Sequence, residues 1–118
     1  MLGRMLFVID PQAPVPLFEQ LAGQIRAGIV KGDLAPGERL PPARELAADL
    51  DVNQHTVLRV YQVLRLEGLL DVRQGRGAFV AASAGDFGRL RQALDAVRRE
   101  AESLGLPLST AASLLTQE

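Results

Sequence analysis

Apolar residues recur along this chain at two different periods, and the change of period marks its parts. Leu17, Leu21, Ile25 and Ile29 return every four residues with Phe18 beside them, which predicts an amphipathic helix over 16–31. Pro16 suits its first turn and Gly32 stops it. Pro41-Pro42 opens a shorter helix, about 42–49, with Leu46 inward and Ala43, Ala47 and Leu50 nearby. Asp51-Val52 reads as a turn, and Asn53 is a good N-cap for a third helix over about 54–67. Val57, Val60, Tyr61 and Leu64 form the apolar stripe of that helix, and Gly68 ends it.

The spacing then shortens. Leu69–Arg73 and Ala78–Ala81 are strand-like, and Gln74-Gly75-Arg76-Gly77 joins them. Glycines at both positions permit positive φ, so the segment predicts a hairpin. Two shorter strands are also predicted: Leu6–Ile9 at the domain edge, stopped by Asp10-Pro11, and Glu38–Leu40 after a Pro36-Gly37 turn. Two short helices, a tight turn and a hairpin, in that order, form the ground plan of a winged helix-turn-helix. In that plan one helix crosses the DNA backbone, the second enters the major groove, and the wing reaches phosphates or the neighbouring minor groove.

After the small-residue linker Ala82-Ser83-Ala84-Gly85, Asp86 is placed to cap a further helix. Phe87, Leu90, Leu94, Val97, Ala101 and Leu104 follow at 3-4-3-4-3 spacing, an a/d seam with arginines and glutamates outside it. Gly105 ends the helix, and Ser109 is placed to cap a last short one carrying Ala112, Leu114 and Leu115. The predicted architecture is mostly α with a small β-hairpin wing. Residues 1–82 form a winged helix-turn-helix and 83–118 a helical dimerisation tail.

Composition narrows the function. At 118 residues the chain is one small domain with a short appendage. An apolar share of 47% favours an apolar surface reserved for association. There is no cysteine and one histidine, and no ligand-spaced carboxylate cluster, so no metal or other cofactor is expected. No apolar run approaches the ~18 residues of a membrane span. Met1–Ile9 is too short for a signal peptide, so a cytoplasmic protein is expected. The net charge of −1 argues mildly against nucleic acid. Over 53–80, however, Arg59, Arg65, Arg73 and Arg76 face only Glu67 and Asp71. Charge acts within a Debye length of about 8 Å, so this local excess outweighs the total. Weak non-specific binding and dependence on groove contacts follow.

Three stretches carry a family likeness: IDPQAPVPLFEQLAGQI, KGDLAPGERLPPARELA and VNQHTVLRVYQVLRLEGLLDVRQGRGAFV. Together they resemble the GntR family of bacterial transcription regulators, and most of all its YtrA subfamily, whose members carry only a short helical tail. The likeness covers about residues 7–81 by motif. It implies a winged-helix homodimer on double-stranded DNA bearing an inverted-repeat operator, acting as a repressor of an operon, with ABC transporter genes as the analogous target. It places Arg44 where an arginine touches DNA, Asn53, His55, Thr56 and Arg59 on the N-terminal half of the recognition helix, and Arg73, Gly75, Arg76 and Gly77 on the wing. The sequence departs from the broad family pattern at Gln54 and Leu58, where many members carry arginine.

Each of these residues also has a plainer role. Arg44 could be a solvated helix charge. Asn53 serves as a cap whether or not it meets DNA. Gln54 has the chemistry to bond adenine through N6 and N7, or to be solvated. His55 is a DNA contact or an idle surface residue, and Thr56 suits a phosphate or a thymine methyl. Arg59 reaches DNA or pairs internally with Glu45 or Glu67. Tyr61 is expected in the core with its hydroxyl bonded. Phe87, Leu90, Leu94, Val97, Ala101 and Leu104 form a dimer seam or pack back on their own chain. No nucleophile–base pair, carboxylate dyad or phosphate loop is present, so no catalytic residue and no enzyme are expected. The alternative function is a winged-helix protein-interaction module, against which a wing arginine between two glycines argues. Some 37 residues follow the wing, too few to enclose a pocket of roughly 300 Å³, so no small-molecule effector is expected.

Overall fold

The computed structural model describes residues 7–82 and 87–117. Five helices and one hairpin follow in order: α1 (Leu17–Lys31), α2 (Ala43–Leu50), α3 (Gln54–Leu66), β1 (Leu70–Arg73), β2 (Gly77–Val80), α4 (Gly88–Ser103) and α5 (Leu108–Leu115). The chain divides into two units, Met1–Asp86 and Phe87–Glu118.

In the first unit, α3 packs against α1, α2 and β1, so its apolar stripe is the hub of the core. Leu21, Ile25, Ile29, Val57, Val60, Leu64 and Val80 are fully buried. Such side chains contribute about 1.5–3 kcal/mol each before entropy costs. Leu17, at the start of α1, is only half-buried. Gly32 closes α1 in the left-handed conformation, with φ of 90°.

The turn between α2 and α3 depends on Asp51, which sits at φ 57° and ψ 48°. Aspartate is among the few residues that enter this region readily. Val52 N–H then donates back to Ala47 O at 3.0 Å and satisfies the helix end. Asn53 caps α3 as expected, its side-chain oxygen accepting from His55 N–H at 2.7 Å. Tyr61 is buried, and its hydroxyl donates to Pro41 O at 2.6 Å, tying α3 to the entry of α2.

β1 and β2 pair antiparallel with Leu70 opposite Val80 and Arg73 opposite Gly77. The predicted strand at Glu38–Leu40 narrows to a single antiparallel bridge, Arg39 with Phe79. It is held by Leu40 N–H to Ala78 O and Val80 N–H to Glu38 O, each 2.8 Å. The segment therefore runs along the open edge of β2.

The N-terminal strand is not formed over residues 7–9, and Leu6 lies outside the described residues. Two glutamines on α1 replace the missing partner strand. Gln24 accepts from Val8 N–H at 2.9 Å and donates to Val8 O at 2.6 Å. Gln20 accepts from Asp10 N–H and donates to Asp10 O, both at 2.9 Å. A side-chain amide carries one acceptor and two donors, so each glutamine pairs with both backbone groups of one residue as a strand would, and the second Gln20 donor reaches Val15 O at 2.8 Å.

In the second unit α4 and α5 pack on each other. The expected cap, Asp86, lies outside the described residues. Ser109 does not cap α5: it lies inside the helix, and Pro107 occupies the cap position at φ −60° and ψ 141°. Proline is preset for a helix entry, so the helix starts before the serine is reached. Ala101 is buried, while Leu90 (46%), Leu94 (43%), Val97 (39%) and Leu104 (76%) keep much of their surface exposed.

Candidate nucleic-acid interface

The sequence placed a candidate surface on three neighbouring elements: the start of α2, the first turns of α3, and the hairpin. Arg44 lies in the first turn of α2 and is exposed. Asn53, Gln54, His55 and Arg59 are exposed along the N-terminal half of α3, and Thr56 is half-buried. The opposite face of α3 is used in the core through Val57, Val60 and Tyr61, so these side chains and the exposed Leu58 are what its first two turns leave for a ligand.

Arg59 does not form the internal ion pair with Glu45 or Glu67. Glu67 is instead held by Arg26, whose Nε and Nη2 donate to its two carboxylate oxygens at 2.8 and 2.7 Å. This fork of hydrogen bonds holds the Glu67 carboxyl below the usual carboxylate range. The Arg59 guanidinium lies 4.8 Å from the centroid of the Phe18 ring on α1. A cation over an aromatic face stays charged and exposed, unlike one neutralised by a carboxylate.

At the hairpin, Gly75 and Gly77 have φ of 78° and 110°. The tip closes through Arg76 N–H to Arg73 O at 2.9 Å, which leaves the Arg76 side chain exposed. Arg73 is partly committed. Its Nη2 pairs with Asp71 at 2.9 Å, and its guanidinium lies 5.4 Å from the Phe79 ring centroid. Asp71 thus offsets one of the two wing arginines that the sequence counts as available.

A third cation joins them that sequence reasoning missed. Arg39 is exposed, and its guanidinium crosses Gly77: a side chain at 77 would begin 3.4 Å from Arg39 Nε. Gly77 therefore serves a close approach as well as a positive φ. The signal was available in the GERL stretch, had its pairing with β2 been drawn. Burial and the nearby Glu45 carboxylate push the Tyr61 hydroxyl above its ordinary range, so it remains a donor to Pro41 O and fixes α2 against α3.

Among the described residues no group of three or more histidine, aspartate or glutamate side chains is placed to hold a metal ion. No helix among them is long and apolar enough to cross a membrane.

The sequence profile of the bacterial regulatory proteins of the gntR family matches residues 17–80. The chain belongs to the GntR family. The HTH-type transcriptional repressor YtrA of Bacillus subtilis (strain 168) is 37% identical over 76 residues. That match covers 64% of this chain and 58% of the repressor, so the chain spans less than two thirds of this relative's length. It spans far less of two longer regulators, 16% and 15%. A solved structure of YtrA from Sulfolobus acidocaldarius, a GntR-family transcription factor, superposes with a TM-score of 0.61 at 34% identity. It covers 84% of this chain and 99% of that one. The DNA-binding domain of AraR in complex with operator ORX1 gives a TM-score of 0.58 at 29% identity, over 66% of this chain and 100% of that one. GntR domains bind operator DNA, as in that complex, and the winged helix described above is a domain of this kind. The family is one of transcriptional regulators, not enzymes.

Proposed function

We propose that this chain is a cytoplasmic, dimeric transcription regulator that represses an operon by occupying an inverted-repeat operator. By the subfamily likeness, that operon carries transporter genes. The observation that carries the reading is the surface left by folding: the first turns of α3 offer hydrogen-bonding groups, and Arg44 on α2, Arg39 beside Gly77 and Arg76 at the hairpin tip are exposed with no acidic partner among the described residues. Gln54, His55 and Thr56 enter the major groove, with Asn53 and Arg59 beside them. Arg44 meets the backbone, and Gly75, Gly77 and the wing arginines Arg73 and Arg76 meet the flanking phosphates.

Dimerisation rests on the tail, residues 83–118. Phe87, Leu90, Leu94, Val97 and Leu104 share one stripe along α4 and its two ends at heptad spacing, and Leu90, Leu94, Val97 and Leu104 keep much of their surface uncovered in the single chain. A second copy presents the same stripe and is the self-complementary partner for it. Ala101 stands apart from the stripe, since it is already buried within one chain.

Gel-shift titration on a full inverted repeat and on one half-site tests the proposal. Two recognition helices of a two-fold dimer meet half-sites ~34 Å apart, so the full repeat binds far more tightly. Equal affinity for both would remove the dimer on a palindrome.

A further inference from the structure

Four residues apart on α3, Gln54 and Leu58 project from one helix face about 6 Å apart along its axis, on the order of two base-pair steps. Leu58 stands apart within the first two turns of α3. The remaining apolar side chains in the first two turns of α3, Val57 and Val60, are fully buried, but Leu58 is 39% exposed. It sits on the polar side of the helix, beside Gln54, His55 and Arg59. Core packing does not account for it, and an exposed leucine gives nothing to a phosphate. The Gln54 side-chain amide makes no hydrogen bond among the described residues, so its donor and acceptor are both available.

One occupant suits both groups. In the major groove, adenine presents N7 as acceptor and N6–H as donor, and thymine presents a C5-methyl. Gln54 Nε2 can donate to N7 while Oε1 accepts from N6–H. Leu58, one turn on, can cover a thymine methyl. Guanine suits neither side chain as well: its O6 and N7 are both acceptors, which a carboxamide meets with one correct bond, and a G·C pair carries no methyl. Resting on the operator-binding reading above, we propose that Gln54 and Leu58 make the base readout of each half-site specific for A·T pairs, Gln54 on adenine and Leu58 on thymine methyl.

Selection of binding sites from a randomised duplex library with the full chain, followed by base-analogue titration of the enriched site, tests this. A·T pairs are expected at the positions facing α3. Replacing one critical thymidine by deoxyuridine removes only the methyl and should weaken binding about fourfold, the worth of one buried methyl-sized group. Replacing the critical adenine by its 7-deaza analogue removes the N7 acceptor and should weaken it by about fivefold or more. Leu58→Ala should bind the thymidine and deoxyuridine sites equally. Gln54→Arg should shift its own position towards G·C. The analogues change the DNA and not the protein, so folding of the variants cannot mimic the result. An enriched site with G·C facing α3, or one indifferent to every deoxyuridine substitution, overturns the A·T assignment while leaving operator binding intact. A library in which nothing is enriched overturns both.

Discussion

Leu64 and Leu94 lie centrally on the apolar stripes of their helices, and either stripe could have been a core. Leu64 is fully buried between α1, α2 and β1, whereas Leu94 keeps 43% of its surface exposed. The difference lies in what each helix has to pack against. Around α3 the chain supplies two further helices and a hairpin, so its stripe is enclosed from several sides. Around α4 the second unit supplies only α5, and of the stripe only Ala101 is buried. Equal periodicity therefore leads to a finished core in one unit and an unfinished face in the other.

Leu64→Ala should give the largest contrast. It leaves a cavity in a closed core and should cost about 2–5 kcal/mol. Leu94→Ala, measured in dilute solution where the chain is monomeric, should stay within about 0.5 kcal/mol. Urea unfolding of both variants compares them. Similar losses would mean that the tail stripe is covered within its own chain.

Leu94→Asp sharpens the comparison from the other side. In a monomer the charge stays solvated, but in a seam it is buried without a partner. Sedimentation should show loss of the dimer, and operator affinity should fall on the order of 100-fold as two linked half-site contacts become independent. A variant that stays dimeric would move the interface away from α4.

Within the first unit, the wing arginines provide a smaller contrast. Arg76→Ala removes an unpaired cation and should cost about 1–2 kcal/mol of DNA binding, with the salt slope lowered by about 0.9. Arg73→Ala should cost less, because Asp71 already offsets that charge. Affinity measured across a salt series separates the two. A slope unchanged by Arg76→Ala would take the wing off the phosphates.

The smallest effect belongs to the exposed Arg26–Glu67 pair. Arg26→Ala should destabilise the first unit by no more than about 1 kcal/mol at neutral pH. Arg26 holds the Glu67 carboxyl below its ordinary value of 4.5. The contribution is therefore fully present above that value and is lost as pH falls through the lower folded value. Thermal melts of wild type and Arg26→Ala should converge in acid. A gap that persists there would assign the effect to packing of the arginine stem.

The helices, the turn, the hairpin and the tail stripe were legible before any fold was known, because periodicity and Gly, Pro and Asn punctuation act within a few residues. Gln54, His55 and Arg44 could be placed on the exposed side of their helices for the same reason: once the apolar stripe of a helix is known, so is its opposite face. The N-terminal strand was misread because Val8 and Asp10 pair with glutamine side chains, and no backbone periodicity announces such a partner.

What the sequence alone determined, then, was which segments fold and which faces they hide. Only the tertiary structure decided which charges stay available. It drew Glu67 to Arg26, 41 residues away, placed Arg59 over Phe18 and brought Arg39 across Gly77. The physical reason is range. Local pattern fixes backbone conformation and burial, but ion pairs and ring contacts form between side chains that become neighbours only when separate elements pack.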